Sequence, residues 1–261
     1  LTAPTDGPIG DSALLVDDGK ERVLNLNDSR PIDPDRLLVQ GAIDICLLQF
    51  SGAIWYPMVY ELPERAKQAF AKKKRAAQFA RAARYVEIIG PRVVIPSAGP
   101  PCFLDDELFR WNDVTNADDS IFPDQRLMVE HLERAGQAAV LMLPGSSGEF
   151  DSSGRFSVEH LHGEASVQDV FADKEAYLRT YAKVVAPRIA AEKASWVGPR
   201  TDLVSELKAW FEPLMALGPR VSDGIGAAVR IETDDESVLL DFPEREVRAD
   251  DGREVDFRFT I

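Results

Sequence analysis

Residues 22–30 read RVLNLNDSR. The apolar run Val23-Leu24-Asn25-Leu26 stops on Asn27-Asp28-Ser29, three residues whose side chains readily bond their own backbone and so favour a turn. The end of a strand is also where open α/β sheets place their sites, which makes Asp28 the first candidate functional residue. Upstream, residues 12–16 form a second apolar run, and Asp17-Asp18-Gly19-Lys20 separates the two. Asp-Gly between apolar runs signals a β-hairpin. Downstream, residues 43–50 are almost continuously apolar, as expected of a central strand covered on both faces.

Further out, the pattern alternates. Residues 62–88 read as a long helix rich in Ala, Lys and Arg, stopped by Gly90-Pro91. A short strand follows at 92–95, then the rigid loop PSAGPPCF (96–103), an amphipathic helix at 125–135 and a buried strand at 138–143. Strands alternating with helices behind a hairpin predict an α/β domain with a mixed sheet over residues 1–150. The Gly/Ser-rich stretch 144–158 is the expected boundary. Residues 151–261 read as an α+β accessory region, with helices at 173–193 and 203–217 and strands at 226–233, 237–242 and 255–261.

The totals set limits on function. The chain has 261 residues, 45% of them hydrophobic, enough for a sizeable core. A net charge of −14 argues against a nucleic-acid partner. The apolar run at 43–50 is of strand length, far short of the roughly 20 residues a membrane span needs. Two distant cysteines, Cys46 and Cys102, make no disulfide framework, so a cytoplasmic protein is expected. Leu1 in place of Met, and an apolar final strand, suggest a piece of a longer protein.

Few residues carry an obvious chemistry. Asp28 would serve as a hard oxygen ligand for Zn or Fe. His160-Leu161-His162 would put two rings on one face of an extended segment, a second candidate metal site near Glu159 and Glu164. His131 falls in a helix and reads as a surface or interface residue. The basic residues of the long helix, Arg65 to Arg84, would either face solvent or steer an anionic substrate. Gly145-Ser146-Ser147-Gly148 lacks the lysine of a phosphate-binding loop, and no G-x-S-x-G elbow of a serine hydrolase is present.

The order of segments DGPIGDSALLV (6–16), VLNLNDSRP (23–31), IDICLLQFSGAIWYPMVY (43–60), GPRVVIPSAGPPCFLDD (90–106) and VRIETDD (229–235) resembles the second half of a metallo-β-lactamase-fold domain. The resemblance is nearest to proteins similar to CMP-N-acetylneuraminic acid hydroxylase, in which such a domain is joined to a Rieske domain. It implies an α+β sandwich of that type, partial here, with Asp28 as a ligand of one of two metal ions. The fold's His-x-His-x-Asp-His loop has no counterpart in this sequence, and its later histidine falls at Gly7. A dinuclear Zn or Fe centre would therefore need ligands from a missing N-terminal half, and no iron–sulfur cluster is expected within the chain. The resemblance implies a hydrolase, or an oxygenase with a Rieske partner, acting on a small, anionic or sugar-nucleotide substrate. Tyr56, Met58 and Tyr60 would line the substrate cleft, with Ser97 and Cys102 on its rim. The alternative is a metal-free binding or scaffold module of the same fold.

Overall fold

A computed structural model describes residues 2–3, 11–52, 54–99, 101–115, 117, 119–196 and 202–260. Gly7 lies outside them. The strands are β1 (Thr2–Ala3), β2 (Asp11–Ser12), β3 (Leu14–Asp17), β4 (Arg22–Asn25), β5 (Ile45–Gln49), β6 (Val93–Ser97), β7 (Ser147–Phe150), β8 (Phe156–Glu159), β9 (Ala228–Glu232), β10 (Ser237–Asp241), β11 (Glu246–Ala249) and β12 (Phe257–Thr260). The α-helices are α1 (Glu64–Ile89), α2 (Gln125–Arg134), α3 (Glu164–Ala172), α4 (Lys174–Trp196), α5 (Leu203–Ala216) and α6 (Pro219–Ile225). Two compact units contain them, Leu1–Ala190 and Ala191–Ile261.

The first unit is built on a mixed sheet of order β3-β4-β5-β6. β3 and β4 are the expected antiparallel hairpin, with Leu15 opposite Leu24. β4, β5 and β6 are parallel. Strands of period two present alternate residues to opposite faces. One face carries Leu24, Cys46, Leu48 and Val94 against α1 and α2, through residues such as Phe79, Val86, Met128 and Leu132. The other carries Ile45, Val93 and Ile95 against Val140, Met142, Phe150 and Phe156. Both faces are thus covered, which explains why residues 43–50 are apolar apart from Asp44 and Gln49. Residues 138–143 contribute only a single parallel bridge, Ala139 to Val94, and not the expected full strand.

The Gly/Ser-rich stretch read as a boundary holds the β7–β8 hairpin. Arg92 fastens that hairpin to the sheet. Its guanidinium lies 3.8 Å from the centre of the Phe150 ring, bonds Asp44 at 3.1 Å and donates to the Gly154 carbonyl at 2.9 Å. Gly148 sits beneath Phe156, where a Cβ would come within 2.5 Å of the ring.

The second unit has a four-stranded sheet of order β11-β10-β9-β12, with β12 parallel to β9 at one edge. α5 covers one face: Leu207, Phe211 and Met215 pack on Val229, Val238, Leu240 and Val247. The N-cap Asp202 accepts from Val204 N at 3.1 Å, which starts α5 cleanly. β11, α3 and α6 were not read from the sequence.

Candidate functional site

The carboxyl ends of β5 and β6 open onto a cavity of about 660 Å³, at the position expected for a ligand in an open α/β sheet. Its walls are largely apolar, with Leu47, Ile95, Met142 and Phe171 among them, and its polar groups are Ser97, Asp124, Gln125 and Lys174. Asp124 caps α2 by accepting from Arg126 N at 3.0 Å, so the same carboxylate serves helix and cavity. Lys174, the first residue of α4, donates to Asp124 at 2.6 Å and to the Asp113 carbonyl at 3.2 Å. Gln125 is held by donating to the carbonyls of Pro96 and Met142. Gly99 lies on the rim, where an added Cβ would meet the Phe50 ring at 3.3 Å.

Asp113 sits behind this pair. It is 3% exposed, and both of its carboxylate oxygens are buried without a hydrogen-bond partner. Burial pushes its carboxyl above the usual carboxylate range, outweighing the pull of Arg75 and Lys174. Burial also raises the Cys102 thiol, and the charge of Lys174 partly offsets that. The two charged residues that line the cavity, Asp124 and Lys174, pair with each other. The cavity therefore suits a molecule with an apolar body and a hydrogen-bonding end.

A second cavity of about 610 Å³ shares Pro144 and Phe171 with the first. Ser146, His160 and His162 line it beside Leu143, Leu161 and Val167. The His160 ring is nearly buried, with Nδ1 2.7 Å from Ser146 Oγ and Nε2 3.4 Å from Glu164. His162 is exposed.

The other residues picked from the sequence are scattered. Asp28 is exposed in a turn where Asn27 has φ +49°; Asn27 N donates to Asn25 Oδ1 at 2.8 Å and Ser29 N to the Leu26 carbonyl at 2.8 Å. Tyr56 and Tyr60 are exposed and stack edge-on with ring centres 5.5 Å apart, while Met58 packs beside Phe103 and Phe122. None of these three lines either cavity described above; Ser97 does, and exposed Cys102 lies within the field of Lys174. His131 stacks on Phe79, and burial lowers its imidazole, helped by Arg134. Part of the basic helix is tied down: Lys74 donates to the carbonyls of Ile54 and Tyr56, and burial lowers its ammonium. Sequence reading missed Lys174, Asp124 and Asp113, which lie 50 and 61 residues from one another along the chain in their contacts. The weak signal available was Asp124 at a helix start.

Residues 203–261 match the family described as Rv3818-like, SCP2-like domain. The whole chain has relatives as well. It is 45% identical over 252 residues to a Mycobacterium tuberculosis H37Rv protein named "Putative Rieske 2Fe-2S iron-sulfur protein Rv3818", covering 95% of this chain and 49% of that protein. A Mycolicibacterium smegmatis protein with the same Rieske designation is 45% identical over 256 residues, again across 95% of this chain and 49% of its own length. The chain thus spans about half the length of these relatives.

These findings overturn the metallo-β-lactamase resemblance and the metal-dependent hydrolase, oxygenase and same-fold scaffold readings that hung on it. The segments that carried it are explained by what they build: a hairpin, two parallel strands and a Gly-Pro helix stop occur in many α/β folds. The cofactor expectation is corrected too. The relatives are named for an iron–sulfur cluster, not for a pair of divalent ions. Among the described residues, no three His, Cys, Asp or Glu side chains come together as metal ligands. A Rieske cluster takes two Cys and two His. Cys46 is wholly buried in β5, Cys102 lies in the loop after β6, and the histidines sit on α2 and beside α3. The described residues do not fit such a cluster. No helix among them is long and apolar enough to cross a membrane.

Proposed function

We propose that this chain is the small-molecule-binding part of a cytoplasmic iron–sulfur redox protein. Its ligand would occupy the cavity at the carboxyl ends of β5 and β6. The cluster would be carried by a Rieske segment in the length of the protein that this chain does not span. The observation that carries the reading is the 45% identity, across 95% of the chain, to proteins named for a Rieske 2Fe-2S cluster and twice as long. The cavity supports the ligand-binding role, with its apolar walls and the Lys174–Asp124 pair at one end. The net charge of −14 gives no support to a nucleic-acid partner.

The test uses the longest natural form of the protein, purified without air. Iron and acid-labile sulfide are assayed, and the reduced protein is examined by electron paramagnetic resonance. About two irons and two sulfides per chain, with a Rieske-type signal, is the expected result. Lys174→Met should leave the iron content unchanged while weakening binding of the fluorescent apolar anion 1-anilinonaphthalene-8-sulfonate about tenfold, the value of one charged hydrogen bond. Full-length protein free of iron and sulfide would sink the redox reading. Unchanged dye binding in Lys174→Met would sink the assignment of the cavity.

A further inference from the structure

The second cavity holds three groups in an order that has its own chemistry. Ser146 Oγ lies 2.7 Å from Nδ1 of His160 and accepts from Leu143 N at 3.2 Å. On the other side of the ring, Nε2 is 3.4 Å from Glu164 Oε2. Glu164 is exposed and its other oxygen accepts from Gln168 at 2.6 Å; in the tautomer with the proton on Nε2, facing Glu164, Nδ1 is the acceptor for the serine hydroxyl. The backbone fixes all three. Ser146 N donates to the Leu143 carbonyl at 2.9 Å, closing the turn before β7. Gly163 N donates to the His160 carbonyl at 2.9 Å, and with φ +77° it turns the chain into α3, whose first residue is Glu164. The imidazole side chain is 6% exposed. A serine that only closes a turn needs no buried imidazole and no carboxylate beyond it.

We propose that Ser146 is the nucleophile, His160 the general base and Glu164 the positioning residue of a site that cleaves esters of apolar acids. The reaction balances as acyl transfer to water. Ser146 Oγ attacks the ester carbonyl carbon while its proton passes to His160 Nδ1. The carbon–oxygen bond to the alcohol breaks, and the departing oxygen takes that proton. Water, deprotonated by the same nitrogen, then releases the acid and restores Ser146. Leu143, Leu161, Val167, Val170 and Phe171 supply an apolar wall for the acyl chain in a cavity of about 610 Å³. Ser146, His160 and Glu164 do not line the Lys174 cavity, which shares only Pro144 and Phe171 with this one, and the site uses no iron, so its failure and the failure of the redox reading are read separately.

The natural full-length protein is treated with a fluorophosphonate probe, whose phosphorus is attacked by an activated serine with loss of fluoride, and the adduct is located by mass spectrometry. Hydrolysis of p-nitrophenyl butyrate is followed in parallel. The expected result is an adduct on Ser146 in the folded protein. Ser146→Ala should lose labelling and at least ~100-fold in hydrolysis, the usual share of the general base and nucleophile, and Ser147→Ala should behave as wild type. Glu164→Gln should lower kcat about tenfold with KM unchanged, since the carboxylate orients the base and does not touch substrate. No adduct on Ser146 in the wild-type protein, which depends on no variant folding, would overturn the proposal. So would hydrolysis undiminished in Ser146→Ala.

Discussion

Asp113 is buried, and neither of its carboxylate oxygens has a side-chain hydrogen-bond partner. Its folded-state carboxyl is raised by burial above the ordinary value of 3.8. An acid raised on folding favours the folded state while protonated, below its unfolded value. That contribution is lost as pH climbs through the raised folded value, because the charged form is the one burial penalises. Asp113→Asn keeps the shape and removes the charge. The variant should melt about 2–4 °C above wild type at pH 7, the shift that roughly 1 kcal/mol makes in a domain of this size. The advantage should vanish near pH 3, as thermal melts at the two pH values would reveal. Asp113 was illegible in the sequence because burial of a carboxylate depends on distant neighbours, here Arg75 and Lys174. Asp28, by contrast, was conspicuous: polar, abrupt and at a strand end. In the structure it occupies an exposed turn, the local preference that Asn-Asp-Ser already implied.

At the scale of elements, punctuation was the most legible feature. The Gly90-Pro91 stop was read, and α1 ends at Ile89; Gly90 takes the left-handed conformation, φ +59°, while its N–H closes onto the Val86 carbonyl at 2.8 Å. Nothing lies within 4 Å of where a Cβ would stand, so Gly90→Ala meets backbone strain alone. It should cost about 1 kcal/mol, measured by urea unfolding. Two elements misled the eye. Residues 138–143 have the apolar length of a strand, yet Val140 and Met142 are used to back the β7–β8 hairpin, and only Ala139 bridges the sheet. The hairpin itself was hidden by its composition. Gly148 reads as a linker residue, but its missing side chain is what lets the Phe156 ring lie over the backbone. Helix α4 runs through Pro187 without ending there, so one proline inside a long periodic segment did not mark a boundary.

At the scale of the molecule, the alternation of strands and helices over the first 150 residues was enough for a mixed α/β sheet, and the strands after residue 226 were enough for a second one. The candidate site was much less legible, because Lys174 meets Asp124 and His160 meets Ser146 only after α3, α4 and the hairpin have formed. Identity was less legible still. Short segments in a plausible order suggested one family, whereas similarity along nearly the whole chain is to half the length of proteins named for a Rieske cluster.

Both cysteines lie in the first unit, and Cys46 is fully buried in its central strand, with burial pushing the thiol up to about 12. That makes Cys46 a built-in clock for the opening of one unit only. Under excess 5,5′-dithiobis-(2-nitrobenzoate), Cys102 should react promptly and Cys46 at the rate at which β5 becomes exposed. Slowing of the second phase by a stabilising change in residues 14–190, and indifference to a change in residues 203–260, would show that the two units open independently. The opposite outcome, one rate governed by both, would show a single cooperative body. Tryptophan fluorescence could not make that separation, since Trp55 and Trp111 lie in one unit and Trp196 and Trp210 in the other.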